Sequence, residues 1–394
     1  MPALFLEKLK LTQVGGKSRH ESRWVIACTS RSGPRIMRWR WWIIACTAAA
    51  LNGTEPLGPS DRVVYLRIQK TGSKTMVALL TSAWLFAGNG SVTKDAGCLH
   101  HAWVGGSQAA CERNTAPFTN ALARARGCIV EGHCPYSAVL VATEMVLKSS
   151  SLRLRFVATL RDPLTRVLSE FRHVCGPGDG AWDYREACPR LCKERVKGTD
   201  EHAADRCATP QAIETYVTDR ANANGVYNRQ ARMLAGSAQS ELSESDLLES
   251  AERTLALLDA VIILERFPLS LAVMSRRFGV SAPDKYYHVN EPKEKRFAFS
   301  RLAPSTEREI RTRNGADMWL WTRAVRRLDE DAEELFGTVD DAEACSRYDC
   351  GTIAQMTLSK GANVHYTDVQ CIAAFDKDAC ASHTHGPAAP GGGS

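Results

Sequence analysis

The chain has 394 residues, with 50 Lys plus Arg against 44 Asp plus Glu for a formal charge of +6, 14 cysteines, 44% hydrophobic residues and 24% charged residues. This composition is ordinary for a globular protein and excludes a collagen-like, coiled-coil or wholly disordered chain. The length suits two or three domain-sized units, or one large α/β domain with appendages. No run of 18 or more apolar residues occurs, which excludes a polytopic membrane protein.

The charge is unevenly placed. The first forty residues carry nine Lys/Arg against Glu7 and Glu21, a local +7, leaving 41 basic against 42 acidic residues after Arg40, a net −1. The excess therefore belongs to the N-terminus and not to the body, which removes the main argument for a nucleic-acid partner. Arg38-Trp39-Arg40 is followed by the apolar run Trp41 to Leu51, with small residues at Ala48, Ala49 and Ala50. A basic flank, a short apolar stretch and small residues match a secretory signal, for which Met37 could be the start. A short type II membrane anchor with its basic side in the cytosol is the alternative. Either places the body in the secretory pathway.

Gly53 to Ser60 reads as a linker, which sets the expected organisation: a targeting segment and linker over 1–60, a catalytic body over 61–337 and a Cys-containing extension with a flexible end over 338–394. Val63 to Ile68 is rich in β-branched and aromatic residues, a buried strand that runs into Lys70-Thr71-Gly72-Ser73-Lys74-Thr75 and a helix over Met76 to Phe86. A second strand, Cys128-Ile129-Val130, ends at Glu131-Gly132-His133, with a helical stretch from Ala138 to Lys148. A third, Leu154 to Leu160, ends at Arg161-Asp162-Pro163, and Pro163 suits the first turn of a helix reaching about Val174. Arg166 and Glu170 read as an i, i+4 pair on that helix's surface. Gly176 to Thr209 is a Cys-rich insertion. Asp246 to Leu258 reads as an amphipathic helix capped by Ser245, followed by a fourth strand, Ala260 to Leu264. Ser305 to Phe336 reads as one or two closing helices whose Met318, Trp319, Leu320, Trp321, Val325 and Leu328 face the core. The tail beyond Thr338 shows no clear periodicity. Strands alternating with helices imply an α/β fold with a mainly parallel sheet covered on both faces.

Apart from Cys28 and Cys46, the cysteines fall in three groups of four: Cys98, Cys111, Cys128 and Cys134; Cys175, Cys188, Cys192 and Cys207; Cys345, Cys350, Cys371 and Cys380. Even clusters suit disulfides formed in an oxidising lumen, with connectivity left open. Zinc is the weaker alternative, because no Cys-x-x-Cys pair occurs. Two sequons, Asn52-Gly-Thr and Asn89-Gly-Ser, are compatible with a lumenal glycoprotein.

In a parallel sheet, ligands collect at the carboxyl ends of strands beside helix N-termini. The Lys70 to Thr75 loop offers amides, hydroxyls, a lysine and a glycine that lets the backbone approach an anion. It is not a Walker A loop, which disfavours a kinase or GTPase; taken alone, a plain basic turn remains a competing reading. Arg161 stands at the end of the third strand, where its fork of donors suits a second phosphate. Ser169 lies two turns along the following helix.

The unit of strand, Lys-Thr-Gly-Ser-Lys-Thr and helix, followed by Leu160 to Val174 (LRDPLTRVLSEFRHV) and by Tyr227 to Leu234 (YNRQARML), resembles the Golgi carbohydrate sulfotransferases that use 3′-phosphoadenosine 5′-phosphosulfate. It is most similar to the heparan sulfate 6-O-sulfotransferase family, over residues 61 to 336. The resemblance implies a P-loop-NTPase-like sulfotransferase fold in the Golgi lumen, a nucleotide sulfate donor, a heparan-sulfate-like polysaccharide acceptor and no metal. It also implies that Lys70, Thr71, Gly72, Ser73, Lys74 and Thr75 bind the 5′-phosphosulfate, with Lys70 stabilising the leaving oxygen. Arg161 and Ser169 would hold the 3′-phosphate, and Lys293, in the Tyr286 to Lys295 loop, would close over the nucleotide. His133 would be the general base, and His173 and Trp182 would contact the acceptor. A base at His133 makes chemical sense, since a sugar hydroxyl is a poor nucleophile and a near-neutral imidazole can take its proton. Lys74 departs from the hydroxylated residue of the family's loop, the stretch before His133 lacks a tryptophan, and the Gly176–Thr209 insertion differs. These departures carry the donor further than the acceptor. Another polysaccharide, a 2-hydroxyl, or a catalytically silent glycan-binding protein are the alternative readings.

Overall fold

The computed structural model of the protein describes residues 11–13, 24–26, 57, 61–72, 75–76, 79–80, 99–101, 129–132, 136, 139, 153–175, 210–219, 226–236, 242–283, 285–291, 302–352, 367–374 and 380. Two compact units divide the chain, 1–53 and 54–394. In the first, β1 (Leu11–Gln13) pairs antiparallel with β2 (Trp24–Ile26).

The second unit is built on a five-stranded parallel sheet. Its strands are β3 (Asp61–Leu66), β4 (Leu99–His101), β5 (Ile129–Gly132), β6 (Arg153–Leu160) and β7 (Ala260–Ile263), in the spatial order β4-β5-β3-β6-β7. The architecture is therefore the α/β one expected, with an edge strand, β4, whose three residues are too short to stand out in the sequence. The central position of β3 explains its composition. All six of its residues are buried, because a parallel strand with two neighbours and two covered faces meets no water. On one face Val63 and Tyr65 pack with Met76, Leu79 and Leu80, and with Phe267, Leu271, Met274 and Phe278 of the segment after β7. Tyr65 is tolerated there because its hydroxyl hydrogen-bonds Thr159 of β6 at 2.9 Å. Asp61, fully buried, is held by Arg153, while Arg155 donates to Asp259 at 2.8 Å. Burial pushes the Asp259 carboxyl up against the opposing pull of Arg155 and the Phe156 amide.

Helix α1 (Pro163–Cys175) follows β6 and packs Leu164, Val167, Leu168 and Phe171 onto Ala212, Ile213, Tyr216 and Val217 of α2 (Pro210–Thr218). The short α3 (Arg229–Ala235) precedes α4 (Glu244–Leu257). Ser243, not Ser245, caps α4: its hydroxyl accepts from the Asp246 amide and donates to the Asp246 carboxylate, so the helix starts two residues earlier than expected. After β7 and a 3₁₀ turn (Leu264–Arg266), α5 (Phe267–Arg277) returns across the sheet. The closing segment is two helices, α6 (Pro304–Arg313) and α7 (Gly315–Phe336). Leu320, Ala324, Leu328 and Ala332 form the buried stripe of α7. Trp319, expected in the core, is instead 37% exposed under the Arg323 guanidinium. None of the described helices is long and apolar enough to cross a membrane.

The tail beyond Thr338 is more ordered than its sequence suggests. It forms α8 (Val339–Ala344), β9 (Tyr348–Thr352) and β10 (Thr367–Ala373), and Cys345 is disulfide-bonded to Cys380. Strand β10 pairs antiparallel with both β9 and β8 (Lys285–Glu291), and Cys371 stands opposite Cys350 in the β9–β10 register. The first part of the expected Tyr286 to Lys295 loop is thus a strand. Its partner lies some eighty residues on, so local sequence could not disclose it.

Candidate active site

Neighbouring parallel strands β3 and β6 run in register, Leu66 opposite Ala158, so the turns that leave their carboxyl ends are side by side. The turn after β3 is held largely by bonds among its own residues. The Thr71 hydroxyl donates to the Ile68 carbonyl at 3.0 Å, and Met76 N–H donates to the Gly72 carbonyl at 3.1 Å to open the next helix. Lys70 and Gly72 both take left-handed conformations, φ 65° and 81°. For Lys70 this costs on the order of 1 kcal/mol, the kind of local strain that functional turns retain. At Gly72 a side chain is disfavoured by φ, and an added Cβ would lie 2.4 Å from Leu264 Cδ1 and force that side chain to shift.

The turn after β6 is held by side chains. Asp162 caps α1, accepting from Thr165 N–H at 2.9 Å, with Pro163 at the first helical position. The Arg161 guanidinium spans the space between the turns, donating from Nε to the Thr165 hydroxyl at 3.0 Å and from Nη1 to the Lys70 carbonyl at 3.2 Å. Glu265, after β7, accepts from Asp162 N–H at 3.0 Å and lies 4.0 Å from Arg161 Nε. A lysine turn, a helix N-terminus and a guanidinium thus meet at the ends of adjacent parallel strands, the arrangement that binds a multiply charged anion.

Residues 57–321 match the Sulfotransferase family. The chain belongs to that family. Among curated proteins, none matches it. The matched region contains the whole parallel sheet and both turns, so sulfuryl transfer is the reaction to which this geometry belongs.

Of the residues that the sequence nominates in this sulfotransferase, Lys70, Thr71, Gly72, Thr75 and Arg161 come together at the β3 and β6 ends. Thr71 and Thr75 are buried, and Lys70 and Arg161 are half-buried. Ser169 is on α1, two turns beyond Arg161 and partly exposed. His173 is on the same helix, in its last turn. Ser73, Lys74, His133, Trp182 and Lys293 lie outside the described residues, as does the Gly176–Thr209 insertion. The strand that leads to His133, β5, pairs directly with β3, Gly132 opposite Leu66. Among the described residues no group of three or more His, Cys, Asp or Glu side chains is placed to hold a metal ion.

Sequence reasoning also missed a buried ion network that starts on α1. Arg166 and Glu170 do pair, at 2.8 Å, but the pair is buried and not on the surface. Arg166 also donates to the Val226 carbonyl at 2.8 Å and lies 3.9 Å from the fully buried Asp317. Burial pushes the Asp317 carboxyl up, opposed by Arg166 and by the amides of Ala231 and Gln230. Arg232 is pushed down to about 10 by burial and by Arg229, and stays charged at neutral pH. The Tyr227 to Leu234 segment marked the region, but nothing in its sequence told which side chains reach the turns.

Proposed function

We propose that this sulfotransferase moves the sulfuryl group from 3′-phosphoadenosine 5′-phosphosulfate to a hydroxyl of a glycan, with the 6-position of glucosamine in heparan sulfate or a related polysaccharide as acceptor. The observation that carries the donor is the 3.2 Å hydrogen bond from Arg161 Nη1 to the Lys70 carbonyl, because it joins two cationic turns. A nucleotide carrying phosphate groups on both its 5′ and 3′ oxygens needs two such turns; ATP does not. The residues present fit that donor: left-handed backbone at Lys70 and Gly72 shapes the turn for the 5′ end, and Arg161 offers a guanidinium for the 3′ end.

In this reading the acceptor oxygen attacks sulfur while the bond from sulfur to the 5′-phosphate oxygen breaks, releasing adenosine 3′,5′-bisphosphate. Lys70 stabilises the charge on that departing oxygen, and His133 takes the hydroxyl proton. Ser73, Lys74 and Thr75 complete the 5′ cradle, Ser169 assists Arg161, Lys293 closes over the nucleotide, and His173 and Trp182 face the sugar. The N-terminal segment directs the chain to the Golgi lumen, as a type II anchor or a cleaved signal.

The test is transfer of labelled sulfate to a panel of desulfated glycans, followed by disaccharide analysis of the product. Label on the 6-position of glucosamine supports the reading; label on another carbon or glycan corrects the acceptor alone. No transfer to any acceptor, with donor and glycan still bound, contradicts the enzyme assignment. His133→Ala should abolish turnover and leave nucleotide affinity near normal; equal loss of both makes the histidine structural.

A further inference from the structure

The ladder between β6 and β7 ends at Leu160 opposite Ile263, one residue before Arg161. The Gln230 amide accepts the Arg161 N–H at 2.8 Å and donates to the Arg161 carbonyl at 2.8 Å, pairing with that residue's backbone as another strand would. Gln230 is fully buried. The preceding residue, Arg229, donates from Nη2 to the side chain of Gln69 at 2.9 Å, beside Lys70 on the other turn. Two consecutive residues of α3 therefore reach both turns.

What holds α3 is equally specific. The Asp317 carboxylate accepts from Gln230 N–H at 3.2 Å and from Ala231 N–H at 2.7 Å, satisfying the first turn of α3. Asn228, left-handed at φ 45°, receives a bond from Asp317 N–H and gives one to Asn314. The strut runs from the start of α7 through α3 to the ends of β3 and β6.

We propose that Gln230 is a positioning residue for the donor: it fixes the Arg161 backbone so that the guanidinium meets the 3′-phosphate. This rests on the donor reading above. An amide is required because only an amide of that length both accepts and donates; a carboxylate cannot donate to the Arg161 carbonyl, and an aliphatic side chain does neither. The consequence is selective. Loss of Gln230 lowers affinity for ligands that carry a 3′-phosphate and spares those that do not.

The experiment titrates adenosine 3′,5′-bisphosphate and adenosine 5′-phosphate into the full chain and its Gln230→Leu, Gln230→Glu and Arg161→Ala variants, with thermal unfolding as the fold check. The readout is the ratio of the two affinities. Gln230→Leu should lower the ratio by about tenfold, the scale of a lost charge-assisted hydrogen bond. Gln230→Glu, which keeps the size and the acceptor, should lower it less. Should the leucine variant not fold, the glutamate variant carries the test. A variant whose two affinities fall together, or whose ratio is unchanged while Arg161→Ala lowers it, overturns the positioning role and leaves the donor reading standing. A wild-type chain that does not prefer the bisphosphate overturns the donor reading and the positioning role with it.

Discussion

The two turns of the candidate site solve the same problem by different means. The turn after β3 keeps its shape through bonds made within a few residues: Thr71 to Ile68, Met76 to Gly72, and a glycine where an added Cβ would force Leu264 to shift. The turn after β6 depends on groups remote in sequence, with Gln230 on its backbone and Glu265 on the Asp162 amide. Local bonds dominate the first and tertiary ones the second, although Arg161 and Arg229 also reach the first turn at Lys70 and Gln69. Damage to the first should stay near its own residues, whereas the second should fail whenever α1, α3 or α7 shifts.

The largest effect separating the two should come from Arg166→Met. It strands buried Glu170 and Asp317 without their cation, a loss of about 3–5 kcal/mol in urea unfolding. A loss below about 1 kcal/mol would show that this network does not support the second turn. Next in size, Gly72→Ala should cost about 2 kcal/mol, part from the left-handed backbone and part from Leu264. Pairing it with Leu264→Ala should recover the packing part in a double-mutant cycle, and simple additivity would deny the contact. Smaller still, Thr165→Val removes the hydroxyl that accepts from Arg161 Nε and should weaken nucleotide binding by about 1 kcal/mol with little change in stability. An unchanged affinity would mean that Thr165 does not orient the guanidinium.

The same contrast decides what the sequence disclosed. Strand β3 and the turn that follows it were legible because the causes are local: a β-branched run, a glycine and a helix start. The end of β6 at Leu160 and the Pro163 start of α1 were legible for the same reason. The buried state of Arg166 was not, because an i, i+4 pair looks alike on a surface and inside, and only Val226 and Asp317, 60 and 151 positions on, decide which it is. Gln230 lay in a segment that was noticed without its function, since a side chain that pairs with a distant backbone leaves no periodic signal. The β8–β10–β9 sheet was missed because the pairing joins the tail to a segment before α6.

The central claim is that the two turns act as one site for a nucleotide with a 3′-phosphate. It is tested most directly by calorimetric titration of adenosine 3′,5′-bisphosphate into the wild-type chain and the Arg161→Ala variant. The account predicts that the variant loses at least about tenfold in affinity, the scale of a charge-assisted bond, while its unfolding midpoint stays close to wild type. Unchanged affinity for the bisphosphate in a folded Arg161→Ala variant would contradict it.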